Sequence, residues 1–206
     1  MHKIVFPPPE PEFITARWSG GHQVPSLIVM HSAVVPCREG SARAVADGFA
    51  RGDRVASAHY SVDPGEVIQS VNDHTVAFHC GYNDGSIAVE MCELPSLKVA
   101  RWASLRFRGS NRRRMFNRSA ELVARLCLAY DIPPRFVAAG GTSLHTLGSW
   151  ASYKKPERGG ITTHAAMTKA FHRSTHWDPG AWPRFRFIRR VRRHMRRLAV
   201  EAQGVR

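Results

Sequence analysis

The sequence is short of carboxylates. Its 206 residues include 16 aspartates and glutamates against 30 lysines and arginines, a formal net charge of +14 with histidine counted as neutral. That imbalance points to a polyanionic partner or environment, whether nucleic acid, anionic lipid or an anionic cell wall, and does not choose among them. Cysteine is scarce as well: Cys37, Cys80, Cys92 and Cys127 lie far apart without a CxxC pair. This argues against a zinc ribbon and a dense disulfide scaffold, and leaves them expected as reduced, mostly buried thiols. No apolar run approaches the ~20 residues of a membrane span. The opening MHKIVFPPPEPEF has too short an apolar stretch for a signal peptide, so the chain is expected to be made in the cytoplasm.

What is present suits one domain large enough to bury a core, with 43% hydrophobic residues and no internal repeat. Pro7, Pro8, Pro9 and Pro11 predict an extended lead-in over residues 1–25. Leu27-Ile28-Val29-Met30 reads as a fully apolar strand, and Ala42, Val45, Ala46 and Phe49 repeat at helical spacing up to Gly52-Asp53. ASAHYSV and VIQSV, joined by Asp63-Pro64-Gly65-Glu66, read as a hairpin, and Ser86 to Met91 as a further strand. Phe116, Ala120, Val123, Cys127 and Tyr130 mark the longest amphipathic helix, ended by Pro133-Pro134. Residues 139–160 look like a loop rich in Gly, Ser and Thr. The tail FRFIRRVRRHMRR predicts a cationic helix with Ile188, Val191, Met195 and Leu198 as a narrow apolar stripe. Helices between strands, with one antiparallel hairpin, predict an α/β class with a mixed central β-sheet.

The chemistry concentrates in GITTHAAMTKAFHRSTHWDPG, read with His31 at the end of the first apolar run. His31, His164 and Asp178 are the donor types of a catalytic zinc site that keeps a position open for water. A metal there lowers the pKa of bound water from about 16 to about 7, which makes hydrolysis the leading reading. Each residue has a bland alternative. A lone strand-end histidine is more often a satisfied polar group, an aspartate before proline can simply start a turn, and His176 is a rival donor two residues from Asp178.

The motifs IVMHS, SAHY, AFHCGYNDGSIAVE and GITTH followed by THWDPG, in that order over residues 25 to 183, resemble the type 2 N-acetylmuramoyl-L-alanine amidases. That family shares its fold with the peptidoglycan recognition proteins, and the combination is most similar to the amidase domain of endolysins from phages of actinobacteria. The resemblance implies a Zn2+ held by His31, His164 and Asp178, and Glu90 as general base. It implies His176 as the group that stabilises the oxyanion, His79 and Asn83 in the substrate groove, and His59 as a core histidine supporting the sheet. Glu90 alternates with Val89 and Met91 and so belongs on the opposite face of its strand. The chain departs from the common family form at Phe78, Cys80 and Ala88. Cys80 neighbours His79, but three protein ligands already suffice for an amidase.

The implied activity is hydrolysis of the amide between N-acetylmuramic acid and L-alanine in bacterial peptidoglycan, by a monomer that acts on the cell wall. The expected organisation is a lead-in over 1–25, a zinc amidase domain over 26–183, and a cationic helix over 184–206 that docks on the domain. That helix would present its arginines to an anionic wall polymer or membrane surface. Two alternatives stand beside this: a recognition module that binds peptidoglycan without cutting it, and a basic nucleic-acid-binding protein. Against the first, no metal ligand is missing. Against the second, no nucleic-acid-binding signature accompanies the charge.

Overall fold

The computed structural model describes residues 10–95, 110–137 and 159–204. Within them a mixed six-stranded sheet runs in the order β1-β4-β3-β5-β2-β6. The strands are β1 Glu12–Phe13, β2 Leu27–Ser32, β3 Tyr60–Val62, β4 Val67–Gln69, β5 Ser86–Met91 and β6 Gly160–Thr163. The helices are α1 Ser41–Arg51, α2 Asn111–Tyr130, α3 His164–Phe171 and α4 Arg184–Gly204. The α/β class is as expected, as are the hairpin β3-β4 and the helices α1, α2 and α4. The loop expected over 139–160 lies almost wholly outside the described residues, and its last residue opens β6.

The apolar run Leu27–Met30 occupies the position its composition demands. It lies between two parallel neighbours, β5 and β6, and is buried along its whole length. Strands of a parallel sheet are covered on both faces, so they lack polar alternation. Ile28, Met30, Val89 and Met91 point toward Phe116 and Val123 of α2 and Phe187 and Val191 of α4. Leu27 and Val29 face the other way, onto Met167 and Ala170 of α3. By the two-residue period of a strand, His31 continues this second set.

Local chemistry fixes the ends of these elements. Gly52, at φ 74°, closes α1 in the left-handed region. Ser110 caps α2 by accepting the Arg113 N–H at 3.3 Å, and Thr163 caps α3 by accepting the Ala166 N–H at 3.2 Å. In the β3-β4 turn the fully buried Asp63 accepts N–H groups from Gly65 and Glu66 with one oxygen and from Ala42 of α1 with the other. One carboxylate thus sets the hairpin and ties it to a helix.

The described part of the lead-in is extended, and it is also built into the sheet. β1 pairs parallel with β4, while Ala16 and Gln23 are buried. The tail helix is likewise part of the core. Its stripe is buried at Ile188, Val191 and Leu198, but the largest fully buried side chain of the helix is Phe187, absent from the predicted stripe. Its ring stands edge-on to Phe116 at 5.2 Å and tilts against Trp182 at 4.6 Å. Strands β3, β5, β2 and β6 run parallel, so their carboxyl ends lie at one edge of the sheet. Ligands of open α/β sheets bind beyond that edge.

Candidate metal centre

His31 lies near the end of β2, Glu90 near the end of β5, and His164 directly follows β6. The topology therefore collects three of the expected residues at the carboxyl edge. Asp178 joins them from the loop between α3 and α4, anchored by two backbone amides: its carbonyl accepts the Ala165 N–H at 2.9 Å, and its Oδ2 accepts the Ser32 N–H at 3.0 Å. His31, His164 and Asp178 are all buried, and one ligand atom from each lies within 4.8 Å of the others.

The spacing suits a small divalent ion. A tetrahedral zinc with ligands at about 2.1 Å needs neighbouring donors about 3.4 Å apart. His31 Nδ1 lies 3.6 Å from Asp178 Oδ2, and His164 Nδ1 lies 3.2 Å from Asp178 Oδ1. Burial opposes ionisation of Asp178, but the hydrogen bond from His164 and the nearby His31 ring outweigh it and hold the carboxyl below the usual carboxylate range. Burial also pushes the His31 ring below the ordinary histidine range. A neutral imidazole beside an ionised carboxylate is the protonation state a metal ligand set requires.

Glu90 Oε1 lies 3.9 Å from His31 Nδ1, while its Oε2 is buried with no hydrogen-bond partner among the described residues. Burial, reinforced by the negative charge of Asp178, raises its pKa well above the ordinary glutamate value. Perturbed, orphaned carboxylates of this kind concentrate where a proton is to be moved. His176 is mostly exposed. Its ring stacks on His164 with centroids 4.8 Å apart and planes 9° from parallel, and its Nδ1 lies 3.8 Å from Asp178 Oδ1.

His79 and Asn83 lie close by, but the contacts they make are internal. His79 bonds to His31 on one side and to Ser86 on the other, and its backbone N–H donates to Asn83 Oδ1 at 3.0 Å. Asn83 Oδ1 also accepts the Cys80 N–H at 2.9 Å, so this side chain shapes the loop that carries His79. Cys80 stands apart from the donor set. Its thiol donates to the Tyr82 carbonyl, and burial pushes it up to about 12. His59 is fully buried, accepts the Ala88 N–H through Nδ1, and bridges by Nε2 to the Thr75 carbonyl, as a core histidine should.

Sequence reasoning missed Ser174. Its hydroxyl sits 3.0 Å from His164 Nε2 and 2.8 Å from Thr168 Oγ1, and accepts the His176 N–H at 3.1 Å. No spacing rule announces this contact. It arises because α3 ends after eight residues and His172, at φ 54°, turns the chain back over the start of the helix.

The same arrangement of sheet and helices occurs in several solved structures. A mutant of PlyL superposes with a TM-score of 0.57 at 18% identity, over 89% of this chain and 98% of that one. Staphylococcus aureus hydrolase AmiA, solved in complex with its ligand, gives 0.59 at 17% identity, over 92% and 85%. The catalytic domain of XlyA gives 0.55 at 16%, over 87% and 97%. At such identities the likeness establishes the fold alone. No curated protein sequence matches the chain. A family model described as N-acetylmuramoyl-L-alanine amidase matches residues 21–181, a span that takes in His31, Glu90, His164, His176 and Asp178, and the chain thus belongs to that amidase family, Amidase_2.

Proposed function

We propose that the protein is a zinc-dependent N-acetylmuramoyl-L-alanine amidase with the role of a phage endolysin. Family membership supports a hydrolase of a peptidoglycan amide bond. The finer reading rests on one observation: the buried set His31, His164 and Asp178 lies beside a buried Glu90 oxygen that no group among the described residues satisfies.

A zinc ion held by those three residues would supply Lewis acidity toward the scissile carbonyl and toward water. Glu90 takes the proton of the attacking water and passes it to the amine as the carbon–nitrogen bond breaks. His176, exposed at the rim, presents an N–H to the carbonyl oxygen as negative charge develops there. Asp178, held ionised by its histidines, keeps the donor set negatively charged. A recognition module would need neither Glu90 nor the full donor set.

The tail carries a second part of the proposal. With the apolar stripe of α4 spent on the core, Arg189, Arg193 and Arg196 share its exposed side, and no ion pair engages them among the described residues. This face suits an anionic wall polymer better than a bilayer, which requires an apolar face to insert. Mass spectrometry of digested sacculi tests the reaction. Intact stem peptides with free L-alanine amines, released only without a chelator, are expected; cleaved glycan or no release would overturn the reading.

A further inference from the structure

We infer that His79 is a positioning residue that locks His31 in the one tautomer able to offer Nδ1 to a metal, through a hydrogen-bond relay ending at Ser86 and the Asn83 carbonyl. The inference rests on the metal-site reading above. The relay can be read from its far end. Ser86 Oγ lies 2.6 Å from the Asn83 carbonyl oxygen, and since that oxygen only accepts, the single hydroxyl proton of Ser86 is committed to it. Ser86 Oγ can then only accept from His79 Nε2, 2.9 Å away. His79 therefore carries its proton on Nε2.

A neutral His79 with the proton on Nε2 has a bare Nδ1, which faces His31 Nε2 at 3.0 Å. That short contact requires a proton on His31 Nε2, and so leaves His31 Nδ1 unprotonated. The bare nitrogen points at Asp178 Oδ2, 3.6 Å distant, and toward Glu90 Oε1 at 3.9 Å. The bare nitrogen and the ionised Asp178 carboxylate are two acceptors brought together, and a cation between them would relieve the repulsion. Metal-bound histidines commonly donate their second ring N–H to an outer group that fixes the tautomer. Here the outer group is itself a histidine, held in its own tautomer by a serine.

The geometry distinguishes the two histidine ligands. Ser174 Oγ, beside His164 Nε2, shares a proton with Thr168 Oγ1, and either oxygen can donate. His164 can therefore hold its proton on Nδ1 toward Asp178 in the free protein and move it to Nε2 when a metal arrives. His31 has no such freedom.

Long-range proton–nitrogen NMR of the metal-free protein tests this directly. The expected spectrum shows His31 and His79 neutral and protonated on Nε2; a His31 protonated on Nδ1 would overturn the relay, whatever the enzyme's activity. Zinc affinity, measured by competition with a chromophoric chelator, gives the second readout. His79→Leu, which keeps bulk and removes the acceptor, should bind zinc about 10- to 100-fold more weakly. His79→Asn, which restores an acceptor near the Nδ1 position, should recover most of that loss. A His79→Leu protein that binds zinc like the parent would refute the positioning role. Should His79→Leu fail to fold, Ser86→Ala and the parent spectrum still decide: His31 in Ser86→Ala is expected to show mixed tautomers, and an unchanged single tautomer would count against the relay. A parent that binds no zinc would sink the functional proposal while leaving the tautomer result to stand on its own.

Discussion

His31 and Glu90 are direct partners across two parallel strands, and their side chains emerge on the same face with His31 Nδ1 3.9 Å from Glu90 Oε1. The distance between the proposed metal ligand and the proposed base is therefore a property of strand register. Slipping β5 by one residue would carry Glu90 to the opposite face, among the residues under α2.

The first expectation concerns metal content. The purified protein should carry about one zinc per chain by elemental analysis, since three protein donors and an open position define one catalytic ion. His31→Ala and His164→Ala should each lose it. Because a ligand bound only by the folded state stabilises it, chelation should also lower the melting temperature; zinc present at 100 times its Kd contributes about 2.7 kcal/mol.

Glu90→Gln should keep the metal and lose turnover by ~100- to 10,000-fold, the usual contribution of a general base, because an amide of the same shape cannot take the proton. Parallel metal and rate measurements separate this from a structural defect. His176→Ala should retain zinc with a lower rate. Loss of zinc in that variant would instead make His176 the ligand in place of Asp178.

For the tail, replacing Arg189, Arg193 and Arg196 with glutamine should weaken sedimentation with intact walls and flatten its salt dependence. Hydrolysis of a small soluble muramyl peptide should hardly change. Selective loss of salt-sensitive DNA binding would favour a nucleic-acid partner instead.

Phe187→Ala should destabilise the fold by about 3–5 kcal/mol in denaturant titrations, as expected for an emptied aromatic site in a core. A much smaller loss would mean that α4 is an accessory rather than part of the core.

His59 predicts an acid limb of stability. Burial lowers its pKa to about 4, against about 6.5 in an unfolded chain. Its contribution is therefore intact above pH 6.5 and is lost as pH falls toward 4, because the unfolded state takes up the proton first. Protonation would also displace the Ala88 N–H from Nδ1. His59→Gln should remove up to one proton, about 1.4 kcal/mol per pH unit, from the slope of stability in that window. An unaltered slope would assign the acid limb to other groups.

Local pattern in the sequence was enough for the α/β class, the hairpin around Asp63, the helices over Ser41–Arg51 and Asn111–Tyr130, and the candidate ligands His31, His164 and Asp178. Each of these depends on periodicity, turn chemistry or donor type, which are written in a few neighbouring residues. The opposite facing of Glu90 from Val89 and Met91 was also readable, because strand alternation is a local rule.

Other features depend on which segments meet. Phe187 reads as an ordinary residue on a cationic helix until α4 lies along α2 and seals its ring against Phe116 and Trp182. Ser174 becomes a partner of His164 only because a reversal at His172 folds the chain back. His79, expected in the substrate groove, is also the neighbour of His31, because the loop shaped by Asn83 sets its ring beside that histidine. Sequence supplies the donors by type, but their protons are placed by hydrogen bonds between residues 31, 79 and 86, and those exist only once the sheet and its loops are assembled.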